Sequence, residues 1–345
     1  MNISIIDSIG ENLTSKEYIT NPAIMRDEEI KKLMIVLLTP DKSGLLVGKP
    51  GIGKTAIVEG LAYLIQKNEV PDSLKGYQII KVNSSSLMNK ITVDGQESLT
   101  INLLVNELKQ MSKVILFIDE VHMLVSSNSD SPIDVANILK PSLDRGDIKA
   151  IGATTTNEYE TYVVRDRAFL RRFDRIDVLE PDIPTTIQIL YESLPKFEYK
   201  TGVSFKYNSY LVKLLLESIV NATSEYKRIY GLSAMYPDVA FSVLSQAFSL
   251  ALVDNRHEVI ISDVYNAIKI SKRIYPDSIV KELADFREKF SKFCIEENIV
   301  LPVVSINDIE VNSEIGWFFE KEKLYFNFYN IYIYCFYIFL CFFDL

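Results

Sequence analysis

Residues 48–55 read GKPGIGKT, which fits the phosphate-binding pattern G-x-x-x-x-G-K-[ST] at each fixed position. An apolar run at 45–47 precedes this stretch, and apolar residues at helical spacing follow it from 56 to 66, so we predict strand, loop and helix in that order. Such a loop turns backbone N–H groups toward an anion at the positive end of the helix dipole. The residues predicted to bind the nucleotide here are Gly48, Lys49, Pro50, Gly51, Ile52, Gly53, Lys54, Thr55 and Ala56.

Two residues of this loop have side chains suited to a Mg²⁺–nucleotide complex. Lys54 would neutralise the β and γ phosphates, and the Thr55 hydroxyl would bind Mg²⁺. The cofactors predicted from the loop are therefore ATP and Mg²⁺.

Residues 114–120 read VILFIDE, an apolar run that ends in two carboxylates. A strand buried on both faces has this pattern, and ligands of α/β sheets bind at the carboxyl ends of the strands. Asp119 is expected to hold Mg²⁺, and Glu120 to orient and deprotonate the attacking water. His122 follows closely and is interpreted as a packing or hydrogen-bonding residue.

Two later stretches carry further candidates. The core strand predicted at 148–155 ends in Thr154 and Thr155, where a hydroxyl could sense the γ-phosphate; a threonine-rich strand end without a ligand fits this stretch equally well. Arg171 and Arg172 follow a short predicted helix and precede a strand at 175–179. Adjacent arginines are usually solvated, but beside a phosphate loop they suggest arginine fingers that reach the γ-phosphate of a neighbouring subunit.

Composition narrows the class of protein. The 345 residues carry a formal charge of −9 and are 48% hydrophobic, which indicates a globular chain and argues against a general nucleic-acid-binding surface. The three cysteines and two histidines show no metal-ligand spacing. The first residues lack the basic start and apolar core of a signal peptide, so a cytoplasmic protein is expected.

The patterns divide the chain into five parts. We predict a lead-in segment at 1–20, an α/β domain with a parallel sheet flanked by helices at 21–181, and a smaller all-helical domain at 182–275. The helices expected in the smaller domain are 185–193, 209–221, 235–253 and 262–270, the last capped by Ser262. A helical or mixed extension at 276–323 and an aromatic, apolar tail at 324–345 complete the chain.

Five ordered stretches together resemble the first ATPase module of the ClpA/ClpB/ClpC unfoldases, within the AAA+ superfamily. They are NPAIMRDEEI, GKPGIGKTAIVEGLA, VILFIDEVHML, IKAIGATTTNEYETYVVRDRAFLRRFD and YPDVAFSVLSQA. The resemblance runs from about residue 6 to about residue 251. It implies a AAA+ large domain followed by a helical lid domain.

The resemblance also implies roles for individual residues. Ala23 and Ile24 match positions that flank the adenine, Asp119 and Glu120 match the Walker B pair, and Thr155 matches sensor 1. Arg171 and Arg172 match the intersubunit fingers, while Pro237 and Asp238 match the sensor 2 region. A homo-oligomeric ring, expected to be a hexamer, and protein clients are the partners that the family implies.

Several positions depart from the family pattern. Val93 stands where the pore loop has an aromatic that grips polypeptide, Met25 stands where a glycine is expected, and Val239 replaces the lysine of P-D-K-A. No stretch of the 345 residues matches the adaptor domain, the coiled-coil insertion or a second ATPase ring. ATP hydrolysis is therefore better supported than polypeptide threading, and docking of a peptidase has little support.

The segment 324–343 contains six Phe and five Tyr. Its length suits a helix that crosses a membrane, although tyrosines belong at membrane interfaces. An aromatic oligomer contact and a mis-delimited end of the chain are the other two interpretations.

The leading hypothesis is a Clp-type ATPase that remodels protein clients through MgATP hydrolysis at subunit interfaces. A nucleotide-gated assembly or scaffold protein without threading is the first alternative. A truncated remnant of a longer unfoldase is the second.

Overall fold

The computed structural model describes residues 4–93, 96–125, 135–145, 148–229 and 235–309. Within them the strands, in chain order, are β1 (Gly10–Asn12), β2 (Ser43–Val47), β3 (Gln78–Asn83), β4 (Lys90–Val93), β5 (Gln96–Leu99), β6 (Val114–Asp119), β7 (Lys149–Thr154), β8 (Phe173–Asp177), β9 (Ser204–Phe205) and β10 (Glu258–Val259). The helices are α1 (Ile5–Ile9), α2 (Asp27–Leu38), α3 (Lys54–Gln66), α4 (Ser84–Leu87), α5 (Thr100–Leu108), α6 (His122–Val125), α7 (Val135–Asp144), α8 (Thr156–Thr161), α9 (Arg167–Leu170), α10 (Ile183–Thr201), α11 (Ser209–Ala222), α12 (Asp238–Val253), α13 (Ile261–Lys269), α14 (Pro276–Lys289) and α15 (Ser291–Glu296).

A six-stranded sheet in the order β1-β3-β6-β7-β2-β8 forms the centre of the first part of the chain. Only the edge strand β1 is antiparallel to its neighbour, so the predicted parallel α/β sheet is confirmed. The central strands β2 and β6 are buried along almost their whole length, as the apolar runs at 45–47 and 114–118 predict. One hydrophobic cluster, with α5 and α7, covers one face of the sheet, and a second, with α2 and α3, covers the other.

The helical part that follows has its own hydrophobic core, so the predicted helical region after the sheet is also confirmed. Two details differ from the prediction. A two-residue parallel pair of β9 and β10 interrupts the helices. Helix α13 begins at Ile261 after Ile260, so the predicted cap Ser262 lies inside the first turn, and the Asp263 carboxylate accepts from the Ile260 N–H instead.

The core of the helical part extends past the boundary predicted at 275. Ile279, Leu283, Phe286 and Phe290, from α14 and its end, are buried in the same cluster as α10–α13. Their spacing at three and four residues places them on one face of α14. The first stretch of the predicted extension therefore packs as part of the lid.

Several predicted element boundaries shift in the structure. The sequence predicts helices at 21–38 and 98–111, but α2 begins at Asp27, and residues 98 and 99 belong to β5. Strand β8 begins at Phe173 rather than at 175. Residues 91–95, around Val93, align with the pore loop of the family, and strands β4 and β5 pair at this stretch as an antiparallel hairpin. Residues 94 and 95 of that stretch lie outside the described residues, as do residues 133 and 134 at the start of the helix that the sequence predicts at 133–143.

Among the described residues, we find no helix with both the length and the apolar character needed to cross a membrane. The aromatic tail at 324–345 lies outside the described residues, so its three interpretations stay open.

Candidate functional site

A cleft of about 800 Å³ lies at the carboxyl ends of β2, β6 and β7 and is bounded on its other side by α10 and α12. Register explains the location, since Val47 pairs with Thr154 in adjacent parallel strands and both strands end at the same edge. Most of the predicted site residues line this cleft. They are Ile24, Pro50, Gly51, Ile52, Gly53, Lys54, Thr55, Ala56, Asp119, Glu120, Thr155 and Asp238.

The phosphate loop has the backbone of an anion site. Gly51 and Gly53 have φ values of +76° and +96°, a region that residues with a β-carbon rarely occupy. Helix α3 begins at Lys54 without a side-chain cap, and the Ile57 N–H is the first to bond back to Gly53. The preceding N–H groups of the helix are therefore available to an anion, so this loop fits a nucleotide phosphate.

Lys54 is held over the loop by its own backbone. Its Nζ donates to the carbonyl oxygens of Gly48 (2.8 Å) and Lys49 (3.0 Å). Burial lowers the pKa of Lys54, while the carboxylates of Asp119 and Glu158 act in the opposite direction. A partly buried cation held in this way is preorganised for a phosphate.

Thr55 and Asp119 provide oxygen atoms next to each other. The Thr55 hydroxyl donates to Asp119 Oδ2 at 3.2 Å, and Lys81 Nζ lies 3.7 Å from the same oxygen. A hydroxyl and a carboxylate are the hard oxygen ligands that Mg²⁺ prefers. The donor set therefore fits the predicted Mg²⁺.

Glu120 occupies an unusual backbone conformation directly after β6. Its φ is +54°, in the left-handed region, and its N–H donates to Asp119 Oδ1 at 3.1 Å. Such conformations concentrate at functional sites, because surrounding contacts must hold them. The turn directs the chain from the strand end into the cleft wall.

The two threonines at the end of β7 make different contacts. Thr154 is buried, and its Oγ1 lies 3.2 Å from His122 Nδ1 and 3.3 Å from Glu158 Oε2. Thr155, which lines the cleft, caps α8 by accepting from the Glu158 N–H at 3.3 Å, and Glu158 accepts from the Thr155 N–H at 3.0 Å. The Thr155 oxygen thus has a structural partner as well as a place in the cleft wall.

Glu158 was not among the predicted site residues, although it lines the cleft. Burial alone would raise its pKa, but hydrogen bonds from Thr155 and Thr154 and the neighbouring His122 outweigh burial and lower the pKa. Glu158 is therefore a carboxylate at neutral pH. His122 serves as a hydrogen-bonding residue, as the sequence indicated.

The segment before α2 places Ile24 and Ala23 differently. Ile24 lines the cleft, whereas Ala23 is buried beneath it against α3. Gly48 and Lys49 likewise do not line the cleft.

Met25, at the position where the family has glycine, has a φ of +57°, so the glycine-type conformation is kept by a residue that bears a side chain.

Ala23 and Gly60 form a close contact that a substitution can test. A β-carbon added at Gly60 would lie 2.2 Å from the Ala23 Cβ. Glycine to alanine inside a helix normally adds about 0.5–1 kcal/mol of stability, but overpacking costs about 1–3 kcal/mol. We expect Gly60→Ala to lower the free energy of unfolding by about 2 kcal/mol in urea titrations, and Ala23→Gly in the same chain to restore most of it. Additive losses in the double variant would show that the two residues do not contact.

Arg26 links the phosphate loop to the connection between the two parts of the chain. Its buried guanidinium donates to the Ile52 carbonyl (2.8 Å), the Leu179 carbonyl (3.1 Å) and Glu29 (2.7 Å). The next residue, Glu180, accepts from Arg228 (2.9 Å) and from the Tyr236 N–H (2.7 Å) of the helical part. Arginines from the two parts thus hold adjacent residues of the linker.

Asp238 brings the lid against the phosphate loop. A β-carbon at Gly51 would lie 2.8 Å from the Asp238 Cβ, and the Met235 N–H donates to the Pro50 carbonyl at 3.4 Å. The Asp238 carboxylate pairs with Arg273 at 3.1 Å. The β-carbon of Asp238 therefore packs against the phosphate loop, while its carboxylate binds an arginine of the lid.

Arg171 and Arg172 do not join the cleft of their own chain. The Arg172 carbonyl accepts from the Ser43 N–H at 2.8 Å, at the amino end of β2, whereas the phosphate loop follows the carboxyl end. Both arginines therefore lie near the amino ends of the strands, on the side of the sheet opposite to the phosphate loop of their own chain.

The most informative residues that the sequence did not single out are Arg26, Ser84 and Glu158. Each of the three contacts either residues that are distant in sequence or the backbone. Contacts of these two kinds leave no periodic pattern in the sequence. Glu158 alone had a local clue, because Thr155 and Glu158 have the spacing of a capping box.

Residues 44–180 match the family model described as ATPase family associated with various cellular activities (AAA). Over 274 residues the chain is 35% identical to the ATP-dependent Clp protease ATP-binding subunit ClpE of Bacillus subtilis (strain 168), covering 78% of this chain and 38% of ClpE. Over 250 residues it is 36% identical to the chaperone protein ClpB of Helicobacter hepaticus, covering 71% of this chain and 28% of ClpB.

Two solved structures are similar in fold. A closed state of Hsp104 with ATPyS and FITC casein has a TM-score of 0.64 and 29% identity, covering 86% of this chain and 49% of that one. The extended S. cerevisiae Hsp104:casein complex has a TM-score of 0.62 and 32% identity, covering 75% and 44%. The chain spans well under half the length of the two curated sequence relatives, namely 38% of ClpE and 28% of ClpB.

The sheet order, the phosphate loop and the acids at the end of β6 define a AAA+ module. Within that class the chain resembles the Clp type, since it is similar in sequence to ClpE and ClpB and in fold to Hsp104.

Proposed function

We propose that the chain binds MgATP in this cleft and hydrolyses it, and that turnover at the interfaces of a homo-oligomeric ring drives the remodelling of protein clients. One observation carries the proposal. Lys54, Thr55, Asp119, Glu120 and Thr155 come from three separate strand ends and converge on a single cleft. ATP-binding chaperones of the Clp type are the relatives that support it.

Each residue has a role that its position supports. Lys54 would exchange its bonds to loop carbonyls for bonds to the β and γ phosphates, and Thr55 and Asp119 would hold Mg²⁺, which neutralises phosphate charge. Glu120 would orient the water and accept its proton in an in-line displacement at the γ-phosphate. Thr155 would donate its hydroxyl hydrogen toward the γ-phosphate, since its oxygen already accepts from α8.

The lid contacts suggest how turnover becomes movement. Residues 50–52 of the phosphate loop touch the lid directly and the linker through Arg26. A change in the loop on hydrolysis would therefore shift the lid. We propose a ring of six copies acting on proteins rather than nucleic acid, with no assigned peptidase.

The proposal is tested by measuring MgATP hydrolysis against protein concentration for the unchanged chain and for Glu120→Gln. We expect specific activity to rise with concentration as interfaces form. Glu120→Gln should bind ATP with an affinity within about three-fold of the unchanged chain, since the amide keeps the shape, and lose about 10²-fold or more of kcat. Assembly is followed by sedimentation, so that a loss of activity can be separated from a loss of the oligomer.

A second candidate function has one observation in its favour. Val93 stands where Clp-type pore loops have an aromatic, which suits an assembly protein that switches with nucleotide but does not thread polypeptide. Tight ATP binding without turnover in the unchanged chain would contradict the ATPase proposal and leave this nucleotide-gated switch. Turnover without any effect on client proteins would favour it as well.

A further inference from the structure

Ser84 lies directly beneath the turn that carries Glu120. It is fully buried at the first position of α4, and its Oγ lies 2.6 Å from the Asp119 carbonyl oxygen and 3.0 Å from the Glu120 carbonyl oxygen. The register of the sheet produces this contact, because Asn83 pairs with Asp119 in the parallel strands β3 and β6. The one hydroxyl hydrogen is shared between two consecutive carbonyls of the turn.

Backbone bonds also hold the turn. The Glu120 carbonyl also accepts from the Met123 N–H at 3.0 Å, and the Val121 N–H donates to the Ala153 carbonyl at 3.0 Å. Glu120 nevertheless has a φ of +54°, which is unfavourable for a residue with a β-carbon. Contacts that oppose relaxation of this φ therefore determine where the carboxylate of Glu120 lies.

We propose that Ser84 is a positioning residue for ATP hydrolysis: its hydroxyl fixes the left-handed turn at Glu120 and so aims the general base at the attacking water. The inference rests on the proposed function of Glu120. Without the hydroxyl, the carbonyls of Asp119 and Glu120 lose a buried donor, and the turn relaxes toward ordinary backbone angles. A displacement of the base by a fraction of an ångström slows the chemical step without removing any group that binds ATP.

The matched control is Ser43, another buried serine on the same sheet. Its Oγ accepts from the Ala150 N–H at 3.1 Å near the amino ends of β2 and β7, away from the cleft. Ser43→Ala and Ser84→Ala each remove one buried hydroxyl: the first takes an acceptor from the Ala150 N–H, and the second takes a donor from the Asp119 and Glu120 carbonyls. A purely structural role would make the two variants behave alike.

The experiment compares kcat, KM for ATP and melting temperature for both variants. Ser84→Ala should lose about ten-fold in kcat with KM within about two-fold, whereas Ser43→Ala should show a similar fall in melting temperature and an unchanged kcat. Ser84→Cys, which keeps the shape with a weaker donor, should fall between Ser84→Ala and the unchanged chain. It also supplies the comparison if Ser84→Ala does not fold.

Hydrogen exchange gives a readout that does not depend on turnover. The amides of Val121 and Met123 should exchange faster in Ser84→Ala, or in Ser84→Cys, and at the original rate in Ser43→Ala. Unchanged exchange together with unchanged kcat would overturn the inference, as would an equal loss of kcat in both alanine variants. An unchanged chain that binds ATP without hydrolysing it would contradict the proposed function instead, and the exchange comparison would still show whether Ser84 holds the turn.

Discussion

A chain that carries both Arg171→Ala and Arg172→Ala is expected to hydrolyse MgATP about 10³-fold more slowly than the unchanged chain. The reason is that a guanidinium placed at the γ-phosphate stabilises the charge that builds up in the transition state. Because Arg172 lies at the amino end of β2 and the phosphate loop follows its carboxyl end, we propose that this guanidinium comes from another copy. The loss should therefore be repaired by a neighbour that has intact arginines.

The sheet separates the arginines from their own cleft. Arg172 and Ser43 are hydrogen-bonded at the amino end of β2, and the phosphate loop begins after Val47 at the other end. The five residues of β2, at about 3.3 Å each, put roughly 15 Å between the amino and carboxyl ends of the strand. A side chain that starts at one edge does not reach a phosphate at the other.

Mixing two inactive chains tests this arrangement. In an equimolar mixture of Arg171→Ala/Arg172→Ala with Glu120→Gln, about a quarter of the interfaces would combine an intact Glu120 with intact arginines if subunits assemble at random. We expect activity to appear on mixing, near that fraction of the original turnover. Arg175→Ala is the control, because Arg175 is paired with Asp177 in its own chain.

Two outcomes would contradict the intersubunit arrangement. Full turnover by the double arginine variant would show that neither residue is a finger. Loss without any recovery on mixing, with assembly intact by sedimentation, would show that the arginines act in their own chain or only support the fold.

The centre of the fold could be predicted because its strands are buried on both faces. A run such as VILFI has no polar face, so it belongs inside a parallel sheet, and the acids after it must lie at the sheet edge. The phosphate loop could be predicted equally well, because its tight turns and the start of the following helix require specific residue types. The elements that carry most of the predicted site therefore follow from local pattern.

Contacts between distant segments could not be predicted in the same way. Arg26 meets the Leu179 carbonyl, 153 residues away, and Ser84 meets the Asp119 carbonyl, 35 residues away. An arginine in a charged segment and a serine in a run of three serines are usually exposed, and only the folded chain shows that both are buried. The inclusion of α14 in the core of the lid was not predicted for a related reason: helical periodicity does not say which core a helix joins.

Arg26 gives the predicted phosphate loop a physical connection to the lid. One guanidinium nitrogen donates to the Ile52 carbonyl in the loop, and another donates to the Leu179 carbonyl in the linker. Glu180 then continues the connection to Arg228, a buried residue on the lid side. Since buried charge-assisted bonds are costly to break singly, the loop and the linker are expected to move together.

Lys54→Ala is expected to weaken MgATP binding by about 10²-fold or more, because two charge-assisted hydrogen bonds to phosphate are worth roughly 3 kcal/mol or more together. The measurement is the stabilisation that ATP adds to the folded state. At a concentration 100 times the original Kd, ATP adds about 2.7 kcal/mol, and a 100-fold weaker site would retain only about 0.4 kcal/mol. The thermal shift should thus almost disappear.

Lys67→Ala is the matched control, since Lys67 lies at the other end of α3, is exposed, and carries the same charge. It should keep the whole ATP-dependent shift, because a cation at that end cannot reach the loop. Lys54→Ala should also leave the melting temperature without ATP nearly unchanged, since it loses only two hydrogen bonds to loop carbonyls, one exposed and one partly buried. A full ATP shift in Lys54→Ala would place the nucleotide outside this loop, and the assignment of the cleft as an ATP site would then be wrong.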